Sequence, residues 1–296
     1  MKNLFFTFSA FLIFGLALAQ DFQGMAVYES KTSSSDMSAR FQGNRDITPE
    51  MQKRIEERMK KMLEKTFTLN FDKNASIYKE EEKLETPGTS NGNMRMMGSF
   101  MGGGGTHYKN VKEKVYVIDK EMFGKEFLVK DTLETIKWNL TQETKQIGDY
   151  LCFKATAKVK NPASDFRNFR MREESKETKV KTDEEKKTTN MLPEGEVPKE
   201  LEVVAWYTPD VPVNNGPENF QGLPGLILEV TKGRTTILCS KVVMNVKDKK
   251  ELKAPTNGKV VTQNEYDEIM KKKMEEMREM FQSRGGNGGM QIRMGN

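Results

Sequence analysis

Short runs of alternating apolar and polar residues, separated by turn residues, recur along most of this chain and constrain its fold more than any other feature. Such runs predict strands, because successive side chains of a strand point to opposite faces of a sheet. About ten runs follow one another with few helical segments between them. Since parallel strands need long crossover connections, we predict a mainly β fold. The expected form is a curved antiparallel sheet, as a partial barrel or a sandwich.

The clearest strand pair lies in the last third of the chain. Residues 226–231 and 234–244 are two apolar strand-like runs, and Lys232 and Gly233 form a turn between them. A two-residue turn that contains glycine is typical of a β-hairpin. The sequence therefore predicts an antiparallel pair at this position.

Two segments are predicted as helices, one in the N-terminal half and one near the C-terminus. Residues 48–65 begin with Thr48 as a cap and Pro49 at the first helical position. Residues 262–282 begin with Thr262 and Glu265, which form a capping box. The apolar positions of the two helices, at helical spacing, are Met51, Ile55, Met59 and Met62, then Tyr266, Ile269, Met270, Met274, Met277 and Met280.

The first 19 residues have the three parts of a secretory signal peptide. Lys2 provides the positive charge, residues 4–18 are mainly apolar, and Ala17-Leu18-Ala19 provides the small residues at the cleavage site. The alternative is an uncleaved anchor, but the apolar run is shorter than the roughly 20 residues that a spanning helix needs. We expect Gln20 to become the N-terminus of an exported protein that meets a membrane only during export.

Composition divides the rest of the chain. Residues 20–283 form one predicted mainly β domain, long enough for a sizeable core. Gly and Ser dominate a low-complexity loop at residues 87–106, and residues 161–200 form a charged insertion with few apolar residues. The glycine-rich residues 284–296 are predicted to be a disordered tail.

Charge gives no indication of nucleic-acid binding. The chain has 48 basic and 43 acidic residues, and the two signs alternate along it. Binding to nucleic acid requires a basic patch or stripe. We therefore predict no nucleic-acid partner.

Two cysteines, Cys152 and Cys239, both lie in strand-like runs. An even number of cysteines in an exported protein favours a disulfide. The alternative is a pair of buried free thiols on separate strands.

Motifs of common enzymes are absent from the sequence. His107 is the only histidine, which argues against zinc sites with several histidines and leaves a Ser-His-Asp triad without a preorganised base. There is no Cys-x-x-Cys motif and no phosphate-binding P-loop. We predict that the protein is not an enzyme and has no catalytic residues.

One cluster of residues suggests a metal. Met94, Met96, Met97 and Met101 precede His107 in the glycine-rich loop. Thioethers are soft ligands that suit Cu(I), which an exported protein can encounter. The alternative is that the methionines serve packing or partner binding, since methionine adapts easily to irregular surfaces.

A proline- and glycine-rich motif between two strand-like runs is the most distinctive part of the sequence. Its residues are Trp206, Tyr207, Pro209, Pro212, Gly216, Pro217, Gly222, Leu223, Pro224 and Gly225. This motif resembles the signature of the GLPGLI family, exported proteins of Bacteroidetes-type Gram-negative bacteria. Segments around Phe127, Trp138 and Glu143 agree with it, so the resemblance covers nearly the whole mature chain. It implies a Gram-negative envelope location, and the family provides no catalytic residues to transfer.

Physical chemistry suggests two roles for this motif. Leu223-Pro224-Gly225 suits a type II turn that leads into the strand at residues 226–230, because Pro and Gly fit its two central positions. Trp206 and Tyr207 are expected to bury large areas on opposite faces of the preceding strand. The motif is then a structural corner. The alternative is a ligand-binding loop, since ordered loops on rigid sheets often carry function.

These observations predict a non-enzymatic envelope protein, periplasmic or secreted. We expect it to bind either a protein partner, such as an outer-membrane transporter or another envelope protein, or an apolar small molecule. An apolar ligand requires a continuous cavity inside the sheet, whereas a filled interior favours binding of a protein partner on the outside. The alternative function is Cu(I) binding in the periplasm through the methionine-rich segments.

Overall fold

The computed structural model describes 14 strands and one complete helix. The described residues are 22–33, 48, 50–51, 53–54, 57, 60, 63–81, 105–122, 124–165, 170–171, 195–196, 198–246, 249 and 251–284. The elements are β1 Gly24–Thr32, β2 Glu64–Phe71, β3 Ala75–Glu80, β4 Thr106–Asn110, β5 Val115–Met122, β6 Lys125–Thr132, β7 Asn139–Ile147, β8 Tyr150–Lys160, β9 Arg170–Met171, β10 Gly195–Glu196, β11 Glu200–Thr208, β12 Leu226–Lys232, β13 Thr235–Met244, β14 Lys259–Val261 and α1 Gln263–Arg284.

Twelve of these strands form one open sheet. Its order is β14-β6-β5-β4-β3-β2-β1-β13-β12-β11-β8-β7, and β9 and β10 form a separate pair. The prediction of a mainly β fold is confirmed. The described strands of this sheet pair antiparallel, as predicted, except at one edge, where β14 pairs with β6 in parallel. The chain leaves β13 in the middle of the sheet and crosses to β6 before it forms β14, so no hairpin turn dictates an antiparallel direction.

Alternate side chains of the central strands form one buried face of the sheet. We call it the inner face and define it as the face that carries Ala26, Tyr28, Leu69 and Tyr78. All four side chains are at most 2% exposed. Tyr28 lies opposite Phe67, and Leu69 lies opposite Tyr78. The rings of Phe67 and Tyr78 stack with centroids 4.6 Å apart. Burial of large apolar side chains such as these stabilises the fold by about 1.5–3 kcal/mol each.

The strand β12 is buried on both faces. Leu226, Ile227 and Leu228 are consecutive and at most 1% exposed. A bulge opposite Trp206 and Tyr207 inserts one extra residue in β12, which changes the alternation of its side chains. Leu226 and Leu228 join the core cluster of β1 and β2, whereas Ile227 joins the cluster of β8 and β11, and after the bulge Val230 lies in the same cluster as Ile227.

The C-terminal helix α1 begins at the predicted capping box. The backbone nitrogen of Thr262 donates to Glu265 at 2.7 Å, and the backbone nitrogen of Glu265 donates to the Thr262 hydroxyl at 3.3 Å. Tyr266 and Met270 pack against β5, β6 and β14. Beyond Met270 the described side chains are partly or fully exposed. Of the described side chains of the predicted apolar face, only Tyr266 and Met270, in the first half of the helix, are buried. Among the described residues, no helix has the length and apolar content needed to cross a membrane.

The predicted N-terminal-half helix is confirmed where the structure describes it. Every described residue from Glu50 to Leu63 is helical, and the Met51 nitrogen donates to the Thr48 hydroxyl at 3.2 Å, which is the expected cap. The helix ends two residues earlier than predicted, because Glu64 and Lys65 already pair with β1 as part of β2.

Several predicted segments lie outside the described residues, in whole or in large part. They are the signal peptide at residues 1–19, the low-complexity loop at 87–106, the charged insertion at 161–200 and the tail at 284–296. These predictions stay predictions.

Candidate functional site

The segment between β11 and β12, residues 209–225, contains most of the distinctive motif, and we call it the motif loop. Its apolar side chains point into the fold. Val211, Val213, Phe220 and Leu223 are all at most 5% exposed. The first two belong to the core cluster of β1 and β2, and the last two belong to that of β8 and β11. The motif loop therefore contributes side chains to both clusters.

A buried lysine holds the middle of the motif loop. The Lys109 ammonium donates to the backbone carbonyls of Gly216 at 2.6 Å, Glu218 at 2.8 Å and Phe220 at 2.8 Å. Lys109 lies in β4 and is 1% exposed. A lysine ammonium has three N–H donors, and this arrangement gives each of them an acceptor.

The charge of this ammonium is costly to bury. Burial lowers the pKa of Lys109 well below its ordinary value, and the Glu218 carboxylate opposes part of that effect. The three carbonyl oxygens favour the charged form, because a neutral amine has too few donors for all of them. Lys109 is thus a tether between β4 and the motif loop.

Asn215 provides a second tether, to β3. Its side-chain oxygen accepts a hydrogen bond from the Ser76 hydroxyl at 3.0 Å and another from the Gly216 nitrogen at 3.0 Å. Its backbone carbonyl accepts from the Ile227 nitrogen at 3.0 Å. The motif loop is therefore fixed to β3, β4 and β12.

The segment before β7 holds the end of the motif loop. The Trp138 indole nitrogen donates to the Gln221 carbonyl at 2.8 Å, and the Gln221 amide donates to the Glu134 carbonyl at 3.1 Å. Gly222 lies close to the indole, and a Cβ atom there would be 3.4 Å from its nitrogen. Gly222 has φ of +98°, which favours glycine.

The predicted type II turn at Leu223-Pro224-Gly225 is wrong. In a type II turn the Leu226 nitrogen would donate to Leu223, but it donates to Val211 at 2.9 Å. The Gly225 nitrogen instead donates to Leu223 at 2.8 Å, which closes a tighter turn around Pro224. The reason is that Val211 extends the pairing of β12 and takes the Leu226 donor.

The remaining motif residues lie around this core. Tyr207 is buried in the cluster of β8 and β11, and Trp206 packs on the opposite face of β11, so the prediction for these two residues is confirmed. The Lys145 ammonium lies 5.0 Å from the centroid of the Trp206 ring. Pro217 is buried, whereas Pro209 and Pro212 are exposed.

The two cysteines do not form the predicted disulfide. Cys152 and Cys239 are free thiols in the same core cluster. Strands β11 and β12 separate β8 from β13, so the two cysteines are not on neighbouring strands. Each thiol donates to a carbonyl two residues away in sequence, Tyr150 and Lys241 respectively. Burial raises the pKa of both thiols, to about 11.

The structure describes only one of the five predicted metal ligands, His107. Met94, Met96, Met97 and Met101 lie outside the described residues, so Cu(I) binding stays a prediction. His107 lies in β4, half-buried, with its ring edge-on to Tyr78 at 6.1 Å. Within the part of the chain that the structure describes, no group of three His, Cys, Asp or Glu residues could hold a metal.

The outer side of β7 is the long open edge of the sheet. Strand β7 is the last in the sheet order, and most of its side chains are exposed. The other edge, β14, has only three residues. Leu140 in β7 and Leu151 in β8 are 59% and 48% exposed. The sequence pattern does not predict a strand over all of β7, because a strand that is exposed on both faces shows no apolar alternation.

The hairpin turn between β7 and β8 determines which backbone groups of β7 point outward. Gly148 and Asp149 form a two-residue turn, and Gly148 has φ of +57° at the first central position. The closing pair, Ile147 and Tyr150, is then hydrogen-bonded, and pairs alternate from there. Thr144 and Gln146 therefore direct their N–H and C=O groups away from β8, towards the open side.

Part of the chain matches a known family. Residues 138–229 match the model of a family that is described as a protein of unknown function (Porph_ging). The matched segment runs from Trp138, which holds the motif loop, through β7, β8, β11 and the motif loop into β12. No curated protein matches the sequence of the chain.

Two solved structures resemble the fold. They are structures of PNGF-II in space groups C2 and P21, with TM-scores of 0.45 and 0.44 and 13% sequence identity in both cases. The similarity covers 84% of this chain but only 32% and 33% of the PNGF-II chains. The chain thus spans about a third of the proteins that it resembles.

Proposed function

We propose that this protein is an exported, non-enzymatic envelope protein of the GLPGLI family that binds a protein partner by strand addition at β7. The signal-peptide pattern and the motif support an exported protein of the periplasm. Its partner is another protein of the envelope, such as an outer-membrane transporter.

The observation that carries this proposal is the contrast between the inside and the outside of the sheet. On the inside, the described apolar side chains of the motif loop belong to the core clusters, and Lys109 is buried against the loop carbonyls, which argues against a ligand cavity at this position. On the outside, the backbone groups of Thr144 and Gln146 point away from β8, beside the exposed Leu140 and Leu151, and no other strand of the described sheet pairs with β7. Main-chain hydrogen bonds to an open edge are a common mode of peptide recognition.

Site-specific photo-cross-linking tests this proposal in the native envelope. A photoreactive phenylalanine analogue replaces Gln146 at the open edge, and in a matched control it replaces Glu202, an exposed residue of the interior strand β11. We expect a discrete protein adduct from the first position only. The additional change Thr144→Pro should abolish the adduct, because proline lacks the outward N–H.

The structure makes Thr144→Pro a mild change for the fold. The Thr144 nitrogen points away from β8, so its loss breaks no hydrogen bond of the sheet. Equal adducts from both positions, or an adduct that survives Thr144→Pro, would contradict binding at this edge.

A further inference from the structure

We infer that the β7 edge of one molecule accepts residues 290–294 of a second copy of this chain as an added strand. This inference rests on the proposed strand addition at β7 and names one strand that the edge accepts. Another envelope protein that binds at β7 displaces this strand from the same backbone groups.

Residues 290–294, which follow α1, have the sequence of a short strand with one apolar face. They read Met-Gln-Ile-Arg-Met, so apolar and polar residues alternate. The five residues before them, 285–289, are four glycines and one asparagine, and glycine-rich sequences serve as flexible linkers. A strand this short does not offset its conformational entropy alone and orders only when a sheet edge pairs with it. The sequence is therefore that of a tethered strand that adds to an existing sheet.

The position of α1 favours the edge of a second copy over the edge of the same chain. Met270 is the last described side chain of α1 that is buried. From Met270 to Arg284 the helix extends about 21 Å, and the linker spans at most about 18 Å more. The helix packs on β5, β6 and β14, which lie at the other end of the sheet order from β7. The run 290–294 is thus carried away from the strands that hold α1, towards other molecules.

The β7 edge offers an apolar surface beside its outward backbone groups. Thr144 lies opposite Phe153 and Gln146 lies opposite Leu151, so these four side chains share one face of the sheet. Leu151 is 48% exposed on that face. An antiparallel residue that exchanges hydrogen bonds with Thr144 or Gln146 places its own side chain on the same face. The run can therefore pair with both residues while its apolar side chains lie beside Leu151. These side chains are Met290, Ile292 and Met294.

Sedimentation velocity of the purified mature chain, with two matched variants, tests the inference. We expect the wild type to dimerise with a Kd on the order of 10 µM, because the paired surface is small. Ile292→Lys and Gln291→Lys add the same charge at neighbouring positions, but only the first changes the apolar face. Ile292→Lys should weaken dimerisation about tenfold, since it places an ammonium against Leu151. Gln291→Lys should change it by less than about twofold, because this side chain stays in solvent.

The decisive sample mixes two variants that are defective on opposite sides of the contact. Ile292→Lys damages the added strand and keeps the edge, whereas Thr144→Pro removes an outward N–H of the edge and keeps the strand. Two copies that exchange strands make two equivalent contacts, and both are defective in either variant alone. In the mixture, the intact strand of the Thr144→Pro chain meets the intact edge of the Ile292→Lys chain. The mixed pair should therefore form about tenfold more tightly than either variant with itself, which weak folding of one chain would not produce.

Three results would overturn the inference. They are a wild type that stays monomeric up to about 100 µM, a dimer that Ile292→Lys leaves unchanged, and a mixture that dimerises no better than its components. If the purified chain is monomeric while Gln146 still cross-links to a different protein, the second copy is wrong and the proposed function stands. If Gln146 yields no adduct at all, both are wrong.

Discussion

Replacing Lys109 with methionine is expected to destabilise the protein by about 3–5 kcal/mol, because three buried carbonyls lose their donors together. Methionine has a similar unbranched shape, so the change removes the ammonium with little change in volume. Urea unfolding followed by circular dichroism measures the effect as a lower midpoint.

A matched control is available on the exposed surface. Lys158 lies in β8 and is exposed, so Lys158→Met should change stability by no more than about 0.5 kcal/mol. Buried charges can be replaced by apolar residues at no cost when their partners are satisfied in another way. A Lys109→Met protein as stable as the wild type would therefore show that Lys109 does not hold the motif loop.

Replacing Gly225 with alanine should cost about 3 kcal/mol, through a backbone clash. A Cβ atom at this position would lie 2.1 Å from the carbonyl oxygen of Thr208. Neither partner can rotate away, because Thr208 ends β11 and Leu226 begins β12, so the backbone itself must move. Thermal unfolding should show a clearly lower midpoint than that of the wild type.

Gly148 provides the control for conformational cost alone. It has φ of +57°, and no atom lies within 4 Å of a Cβ built on it. Gly148→Ala should therefore cost only about 1 kcal/mol, the penalty for a left-handed residue with a side chain. If both substitutions had the same effect, close packing at Gly225 would not be the reason for this glycine.

Much of the fold could be predicted from the sequence, because local patterns directly report on burial. The alternation in β1 and the capping box of α1 depend on neighbouring residues only, and both are confirmed. The parallel pairing of β14 with β6 could not be predicted in this way. It depends on where a long connection returns to the sheet, which no local pattern encodes.

The two side chains that fix the motif loop to neighbouring strands could not be predicted from local patterns either. Lys109 and Asn215 are polar, and polar residues are normally exposed, so sequence alone gives no reason to place them inside. Their burial depends on partners that are 107 and 139 residues away along the chain. The burial pattern of Val211, Val213, Phe220 and Leu223 could have been a signal, since these apolar residues recur in a segment otherwise rich in turn residues.

Strand β7 was hard to predict because it has no apolar face. Its sequence is polar on both faces because it forms an exposed edge, and a bulge between Leu140 and Thr144 interrupts its pairing with β8. Edge strands commonly carry polar residues and bulges that limit unwanted pairing. The regular end of β7, from Thr144 to Ile147, is the part that remains suitable for adding a strand.

The central claim is that the motif loop is an internal part of the fold and that recognition takes place at the β7 edge. Hydrogen–deuterium exchange with mass spectrometry on the native protein tests this most directly. Peptides that cover residues 211–227 should be as protected as those of β12 and β13, and Lys109→Met should remove this protection selectively. Exchange of residues 211–227 within seconds in the wild type would contradict the account, because a loop that opens so readily would be accessible to ligands.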